Sequence, residues 1–188
     1  TLSAAEARAR MLAEVAQIAG REFVPLRSAL GRILAADIVA PHDVPAHDNS
    51  AMDGYAVSFD SLSTESETRL NVVGTAFAGS AFSGLVGKGQ AVRIMTGAVL
   101  PAGADTVVVQ EATRVEGGAV FVPAGQKQGQ NTRRAGEDLA RGAVALAAGK
   151  RVGPAELGLI ASLGVGEVAV RRRLRVAFFS TGDELGSI

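Results

Sequence analysis

The N-terminal segment has the pattern of an amphipathic helix. Ser3 and Glu6 have the spacing of a capping box, in which the hydroxyl and the carboxylate each satisfy a free backbone N–H. Apolar residues then recur at helical spacing as far as Ile18, and Gly20 is of a type that ends helices. The pattern predicts a helix from Ala4 to about Ile18.

The helical period disappears between Pro41 and Asp138. Short apolar or alternating pieces are separated there by Gly, Pro, Asn and Ser, which is typical of strands joined by turns. The pair Gly117-Gly118, between TRVE and AVFV, predicts a hairpin turn. Residues 77–90 contain several glycines but lack the strand and helix that flank a phosphate-binding loop, so we expect a hairpin connection there.

A helical pattern returns after this β-rich stretch. Residues 153–165 place a proline at the first helical position and a glycine near the end, which predicts a second helix. The order of elements predicts an α+β fold, in which a small α/β domain, residues 1–44 and 140–170, is interrupted by an inserted β-rich domain, residues 45–139.

Residues 171–188 are expected to begin a third, truncated α/β domain. The apolar run 175–179 is typical of a parallel strand covered on both faces, and STGDEL follows it. Ligands bind beyond the carboxyl ends of such strands, and Asp183 and Glu184 offer the hard oxygen ligands that Mg²⁺ prefers. The alternative, that Thr181 or Asp183 only caps the next helix, stays open.

The composition limits the possible functions. The 188 residues include 19 Lys or Arg and 19 Asp or Glu, and this zero formal net charge argues against nucleic-acid or membrane partners. The absence of cysteine excludes disulfides, thiolate metal sites and thiol redox chemistry. No apolar run approaches the roughly 18 residues of a membrane-spanning helix. We therefore expect a cytoplasmic protein.

A basic run and a pair of histidines could indicate nucleic-acid or metal binding, but neither is the preferred interpretation. The basic run 171–175 has no aromatic neighbour for base stacking, so a solvated strand edge is the preferred interpretation. His42 and His47 are the only histidines, and their spacing does not match the familiar metal-binding pairs. Surface or turn-packing roles are expected for both.

The stretch VPAHDNSAMDGYAV, residues 44–57, is unusually rich in polar side chains. Its acids Asp48 and Asp53 are five residues apart and fit no single helical face, so the segment reads as a loop that leads into a strand. Local turns formed by side chains such as those of Asp48 and Ser50 are one interpretation. The other is a binding position, since apolar residues on both sides would anchor the loop.

Two more polar clusters follow strands in the β-rich part. RIMTG places Thr96 directly after an apolar strand, and NTRRAGEDL places Arg133 and Asp138 around a glycine. The second cluster has two interpretations. Its arginines and acids could neutralise one another on the surface, or an arginine could clamp a phosphate or another oxyanion.

Four stretches in this order, DVPAHDNSAMDGYAV, RIMTGAVLPAGADTVVVQE, NTRRAGEDL and RVAFFSTGDEL, resemble the MoeA family, the molybdopterin molybdenumtransferases. The resemblance extends over nearly the whole chain and covers only the N-terminal part of such a protein. It implies insertion of molybdate into adenylylated molybdopterin, with Mg²⁺ assistance and release of AMP. It also implies that the chain alone is inactive, because most of the pterin-binding domain is missing.

The resemblance also assigns residues. It implies that Asp53, Thr96 and Asp138 act in the catalytic cleft, with Asp53 and Asp138 as candidate Mg²⁺ ligands. Arg133 and Glu184 would contact substrate, and Asp183 stands beside Glu184.

The implied partners are a second copy of the protein in a homodimer and a molybdopterin adenylyltransferase. Two alternative functions are a non-enzymatic scaffold like gephyrin, whose relatives cluster membrane receptors, and a generic Mg²⁺-dependent phosphohydrolase. The scaffold would bind a receptor peptide, and the phosphohydrolase would turn over simple nucleotides without a pterin.

Overall fold

The structure is a computed structural model, and it describes residues 2–177. Two α-helices are present in this range, α1 (Ala4–Glu14) and α2 (Pro154–Ser162). The strands, in chain order, are β1 (Arg21–Pro25), β2 (Ile38–Val39), β3 (Asn49–Ser50), β4 (Gly54–Val57), β5 (Thr68–Ala76), β6 (Gln90–Ile94), β7 (Thr106–Val109), β8 (Arg114–Glu116), β9 (Ala119–Val122), β10 (Thr132–Arg133), β11 (Val144–Leu146) and β12 (Glu167–Arg171). The predicted α+β class is confirmed.

Contacts within the chain divide it into two units. Among the described residues, one unit contains the chain up to Ile38 and again from Val144, and the other contains Val39–Ala143. The predicted inserted domain, 45–139, falls within the second unit. No helix among residues 2–177 is both long and apolar enough to cross a membrane.

The first unit is built around an antiparallel pair and α2. Strands β1 and β12 pair from Arg21 opposite Arg171 to Pro25 opposite Glu167. Its core consists of buried aliphatic side chains from the loop after β1, from α2 and its flanks and from β12, namely Leu34, Val152, Ile160, Leu163, Val168 and Val170.

Helix α1 begins as predicted and ends early. Ser3 and Glu6 form the predicted capping box, with the Glu6 backbone N–H donating to Ser3 Oγ and the Ser3 N–H donating to Glu6 Oε2. The predicted end at about Ile18 is wrong, because Val15 has extended backbone angles and caps the helix. No side chain of α1 is buried, so tertiary packing does not extend the helix further.

The second unit contains a six-stranded sheet with the order β7-β4-β6-β5-β9-β8. Successive residues alternate between its faces, so Tyr55 and Val108 join one apolar cluster while Ala56 and Val107 join another. The β8–β9 hairpin turns at Gly117-Gly118, as predicted.

The connection across residues 77–90 is not the predicted hairpin. Strands β5 and β6 pair in parallel, with Val72 opposite Ala91 and Ala76 opposite Ile94. A parallel pair requires a crossover of about a dozen residues, and the segment between β5 and β6 is long enough to provide one. The glycines in this segment therefore belong to a crossover loop.

The predicted strand at 175–179 is also wrong where the structure describes it. Residues 172–177 have no regular secondary structure and are exposed, so the basic run is solvated as expected, but residues 172–175 are not the strand edge and 175–177 are not the buried strand that the sequence predicted. The rest of that strand, together with Asp183 and Glu184, lies outside the described residues.

Candidate functional site

Asp53 and Thr96 form one hydrogen-bonded pair at the ends of two neighbouring strands. Asp53 precedes β4 and Thr96 follows β6, and these strands pair with Gly54 opposite Ile94. The Thr96 backbone N–H and its Oγ1 hydroxyl both donate to Asp53 Oδ1, each at 2.7 Å. The structure thus brings together two residues that the sequence had selected separately.

The backbone around Asp53 is held by two local features. Ser50 is buried, and its Oγ donates to the Met52 carbonyl while accepting from the Met52 N–H. Gly54 sits against β7, where an added Cβ would stand 2.1 Å from the Val108 carbonyl oxygen. Only glycine therefore fits after Asp53, and the chain enters β4 at a fixed position.

The turn that presents Thr96 also depends on a glycine. Gly97 has φ of 78°, a conformation that other residues rarely adopt. Its N–H donates to the Ser50 carbonyl, so the Thr96 turn is tied to the same loop that carries Asp53.

The Asp53 carboxylate is ionised at neutral pH. The N–H of Thr96 and then its hydroxyl lower the pKa of Asp53 below its ordinary value of 3.8, because both hydrogen bonds favour the charged form. Within residues 2–177, all hydrogen bonds to this carboxylate fall on Oδ1. Oδ2 is thus available to a ligand.

Arg133 and Asp138 form a second cluster together with Glu137. The Arg133 Nε donates to Glu137 Oε1 and its Nη2 to Asp138 Oδ2, both at 2.5 Å. The Arg133 guanidinium and then the Arg134 N–H lower the pKa of Glu137. In this structure the arginine and the two acids neutralise one another, which is the first of the two interpretations from sequence.

The acids of residues 43–53 do not converge on one point. Asp43 Oδ1 accepts from the Arg141 N–H at 2.7 Å, and Asp48 Oδ1 accepts from the Ala135 N–H at 2.8 Å. These two carboxylates hold the loop that carries Arg133, while Asp53 faces Thr96. Asp48 is therefore a long-range anchor, and the local turn that was one of its two interpretations from sequence is not formed by this carboxylate.

Strand β3 connects the two clusters through its backbone. Asn49 pairs with Arg133 of β10 on one side and bridges to Val99, after the Thr96 turn, on the other. Among the described residues, no hydrogen bond or ion pair joins Asp53 or Thr96 directly to Arg133 or Asp138. The four predicted residues thus belong to one loop assembly but form two separate side-chain clusters.

No metal centre is preformed in the described part of the chain. Residues 2–177 contain no group of three or more His, Asp or Glu side chains arranged to hold an ion. His42 and His47 are exposed.

Sequence reasoning missed Arg93 and Gln110. Arg93 lies on β6, opposite Tyr55 of β4, and its Nη2 donates to Gln110 Oε1. The Gln110 N–H donates to the Asp53 carbonyl at 3.1 Å, so this cluster adjoins the Asp53–Thr96 pair. The signal was present in AVRIM, where one arginine interrupts an otherwise apolar strand.

Comparison with known proteins gives consistent matches. A family model described as the MoeA N-terminal region, domains I and II, matches residues 2–164. The molybdopterin molybdenumtransferase of Haemophilus influenzae is 44% identical over 181 residues, which are 96% of this chain and 44% of the relative. That of Synechococcus elongatus is 42% identical over 180 residues, 93% of this chain and 45% of the relative.

A solved structure agrees with these sequence matches. The molybdopterin biosynthesis MoeA protein of Pyrococcus horikoshii OT3 superimposes with a TM-score of 0.81 at 34% identity, over 85% of this chain and 43% of that one. The chain thus spans less than half the length of the relatives that it matches. On the family match and the fold together, the chain belongs to the MoeA family and corresponds to its N-terminal region.

Proposed function

We propose that this chain is the N-terminal part of a molybdopterin molybdenumtransferase. The reaction would be the insertion of molybdate into adenylylated molybdopterin with release of AMP, in the biosynthesis of the molybdenum cofactor. The names of the relatives support this assignment, and the observation that carries it is the Asp53–Thr96 pair. Since the relatives are more than twice as long, we expect the chain to act only together with a C-terminal part.

The Asp53–Thr96 pair has properties suited to a cleft that handles anions and cations. One oxygen of the carboxylate is saturated by Thr96, so the side chain is fixed and charged. The other oxygen can accept a hydrogen bond from a water molecule or contact a cation. We propose that Asp53 orients water or a hydrated cation at the phosphoanhydride that is cleaved.

The donors in the described residues fit Mg²⁺ only as part of a larger site. Magnesium is commonly held by one or two carboxylates together with waters and substrate phosphates. Asp53 can offer one oxygen, whereas Asp138 Oδ2 is already paired with Arg133. We therefore propose Asp53 as the principal ligand from this region, with Asp138 available once its ion pair opens. When bound, Mg²⁺ would neutralise charge on the substrate phosphates.

The remaining assignments are proposals of the same kind. Arg133 would contact an anionic substrate group that competes with Glu137 and Asp138 for its guanidinium. Asp183 and Glu184 would contact substrate from the third domain. We further propose that the complete cleft forms in a cytoplasmic homodimer that receives its substrate from a molybdopterin adenylyltransferase.

A hybrid protein tests the proposed function. This chain is joined to the C-terminal part of the Haemophilus influenzae relative, and AMP release and cofactor formation are measured with adenylylated molybdopterin and molybdate. We expect Asp53→Asn to lower the rate by about 100-fold, as for loss of a group that orients a reacting water. Asp60→Asn, at an exposed aspartate of the same unit, is the matched control and should leave the rate unchanged.

Three results would contradict parts of the proposal. An Asp53→Asn hybrid that keeps the wild-type rate, with an unchanged circular dichroism spectrum, would remove Asp53 from the reaction. Turnover of ATP by the hybrid without any pterin would favour a phosphohydrolase. Turnover by the 188-residue chain alone would show that no C-terminal part is needed.

A further inference from the structure

An open pocket of about 490 Å³ lies on the second unit, and the backbone N–H of its lining residue Gln110 donates to the Asp53 carbonyl. It is lined by Tyr55, Arg93, Gln110, Glu111, Thr113 and Val115. Tyr55, Arg93, Gln110 and Glu111 lie in the stretches that resemble the MoeA family, but neither the sequence analysis nor the proposed roles of Asp53 and Thr96 give them a function.

The Arg93 guanidinium is held in this pocket from two sides. Its Cζ lies 5.1 Å from the centroid of the Tyr55 ring, within the range of a cation–π contact. Its Nη2 donates to Gln110 Oε1. Tyr55 itself is only 6% exposed and belongs to the core of the sheet, so it forms a rigid floor beneath the arginine. A guanidinium fixed in this way loses little further freedom when it binds an anion.

The Thr96 hydrogen bonds and then the charge of Arg93 lower the pKa of Asp53, but no carboxylate in the described residues forms an ion pair with Arg93. Among the described residues, no acid comes within 4.0 Å of it, although Glu111 lines the same pocket and is hydrogen-bonded to Gln110 Nε2 at 3.0 Å. Arg114 makes the contrast clear. It also lies over an aromatic ring, at 3.9 Å from the Phe121 centroid, but it is paired with both Glu67 and Glu116.

The pocket and Asp53 are placed together by the sheet. Arg93 stands opposite Tyr55 in the β4–β6 register, and Asp53 lies in the bend just before the first residue of β4. The Gln110 N–H donates to the Asp53 carbonyl. One edge of the unit thus presents a fixed cationic group beside a fixed anionic one.

We propose that the Arg93 pocket binds a tetrahedral oxyanion, of the molybdate or phosphate type, next to Asp53. Arginine presents five N–H donors in a planar fork that matches the oxygens of such anions, and the bond to Gln110 uses only part of that set. This proposal depends on the proposed function, because it assigns Arg93 and its neighbours to binding of the anionic part of that substrate. Binding of an inorganic anion, however, can be measured on this chain directly.

A purely structural role makes a different prediction. If Arg93 only covers Tyr55 and the apolar cluster beneath it, then a carboxylate partner for the arginine should not change the affinity of the chain for an anion. Gln110→Glu does this, since the new carboxylate can replace the Gln110 Oε1 acceptor with a charged one and leaves the Arg93–Tyr55 contact in place.

The experiment is isothermal titration calorimetry of the 188-residue chain with sodium molybdate and, separately, with sodium phosphate, at low ionic strength. We expect saturable binding that Arg93→Gln and Gln110→Glu each weaken by about tenfold or more, the loss expected for a charge-assisted hydrogen bond. Arg114→Gln is the matched control and should bind like the wild type. Tighter binding of molybdate would identify the metal oxyanion as the ligand, and tighter binding of phosphate would identify the phosphate of the substrate.

The proposal is overturned if the folded wild-type chain binds neither anion, or if Gln110→Glu binds both as well as the wild type does. Arg93→Gln alone would not decide the matter if it unfolded the chain, which is why the Gln110→Glu variant is needed. Failure of the proposed function would appear in the hybrid enzyme and not in the anion titration. A hybrid enzyme unaffected by Asp53→Asn would reject the transferase role of Asp53 and leave the anion measurement standing.

Discussion

Asp53 accepts two hydrogen bonds from Thr96, both on the same carboxylate oxygen and both at 2.7 Å. The two residues are 43 positions apart in the sequence and meet because β4 and β6 are neighbours in the sheet. A carboxylate held by one oxygen is fixed in direction, and no donor among residues 2–177 occupies its second oxygen.

The hydroxyl of Thr96 should contribute measurably to the acidity of Asp53. Thr96→Val removes the hydroxyl and keeps the backbone N–H, so the pKa of Asp53 should rise toward 3.8 and remain below it. The backbone hydrogen bond is the larger cause of the lowered pKa and persists in the variant. The measurement is an NMR titration of the Asp53 carboxyl carbon. Thr96→Ser keeps the hydroxyl and should titrate like the wild type, and equal titration of the Val and wild-type chains would contradict the argument.

Gly54 should be essential for the position of β4. Gly54→Ala would bring a Cβ to 2.1 Å from the Val108 carbonyl oxygen, so one of the two strands must shift. We expect a loss of about 1–3 kcal/mol in the free energy of unfolding, the range for an overpacked site. Urea denaturation followed by circular dichroism measures it.

Gly158 supplies the control of opposite sign. It lies inside α2, and an added Cβ there would meet nothing within 4 Å. Gly158→Ala should therefore stabilise the chain by up to about 1 kcal/mol, the difference in helix propensity. If both variants lost stability to the same extent, the close approach of β4 and β7 would not be the cause.

Ser50 should set the shape of the loop before Asp53. Its buried hydroxyl donates to the Met52 carbonyl at 2.5 Å and accepts from the Met52 N–H at 3.3 Å. Ser50→Ala leaves the carbonyl without that donor, and a loss of about 1–3 kcal/mol is expected. The free energy of unfolding measures this loss. Ser66→Ala, at an exposed serine of the same unit, is the control and should change the stability by less than about 0.5 kcal/mol.

The sequence predicted those parts of the fold that depend on local chemistry. The capping box of Ser3 and Glu6 and the hairpin at Gly117-Gly118 follow from a few adjacent residues, and both are confirmed. The hairpin predicted for residues 77–90 is wrong, because β5 and β6 pair in parallel. Glycine-rich residues are compatible with either a hairpin or a crossover, and only packing against the rest of the sheet decides between them.

The candidate site shows the same limit. Asp53 could be selected from a polar loop with apolar residues on both sides, and Thr96 from its place directly after an apolar strand, since such loops often carry binding residues. Their contact could not be predicted, since it depends on the register of β4 against β6. Arg93 was missed because an arginine within a strand ordinarily faces solvent, whereas here the Tyr55 ring and Gln110 hold it in a pocket.

Asp105 should make the stability of the second unit depend on pH in the acid range. Burial alone would raise its pKa, but hydrogen bonds from the Phe59 N–H, Gln128 and Thr106 outweigh burial and lower the pKa below 3.8. A lowered pKa means that the folded state favours the charged form. The contribution of the ionised Asp105 to the free energy of unfolding is therefore complete above the unfolded-state pKa of about 3.9. It is lost as the pH falls below that value.

Asp105→Asn separates the effect of Asp105 on stability from the effects of the other acids that titrate in the same pH range. The amide keeps the oxygen that accepts from Phe59 and Thr106 but places an N–H₂ group where Oδ2 accepts from Gln128 at 3.1 Å. At neutral pH the variant should be less stable by about 1 kcal/mol, the usual value of one hydrogen bond. Below about pH 4 the difference should shrink, because the carboxyl of the unfolded wild-type chain then binds a proton more readily than the folded one does. Urea denaturation at several pH values measures this difference, and a gap that stays constant down to pH 3 would show that Asp105 is not the titrating group.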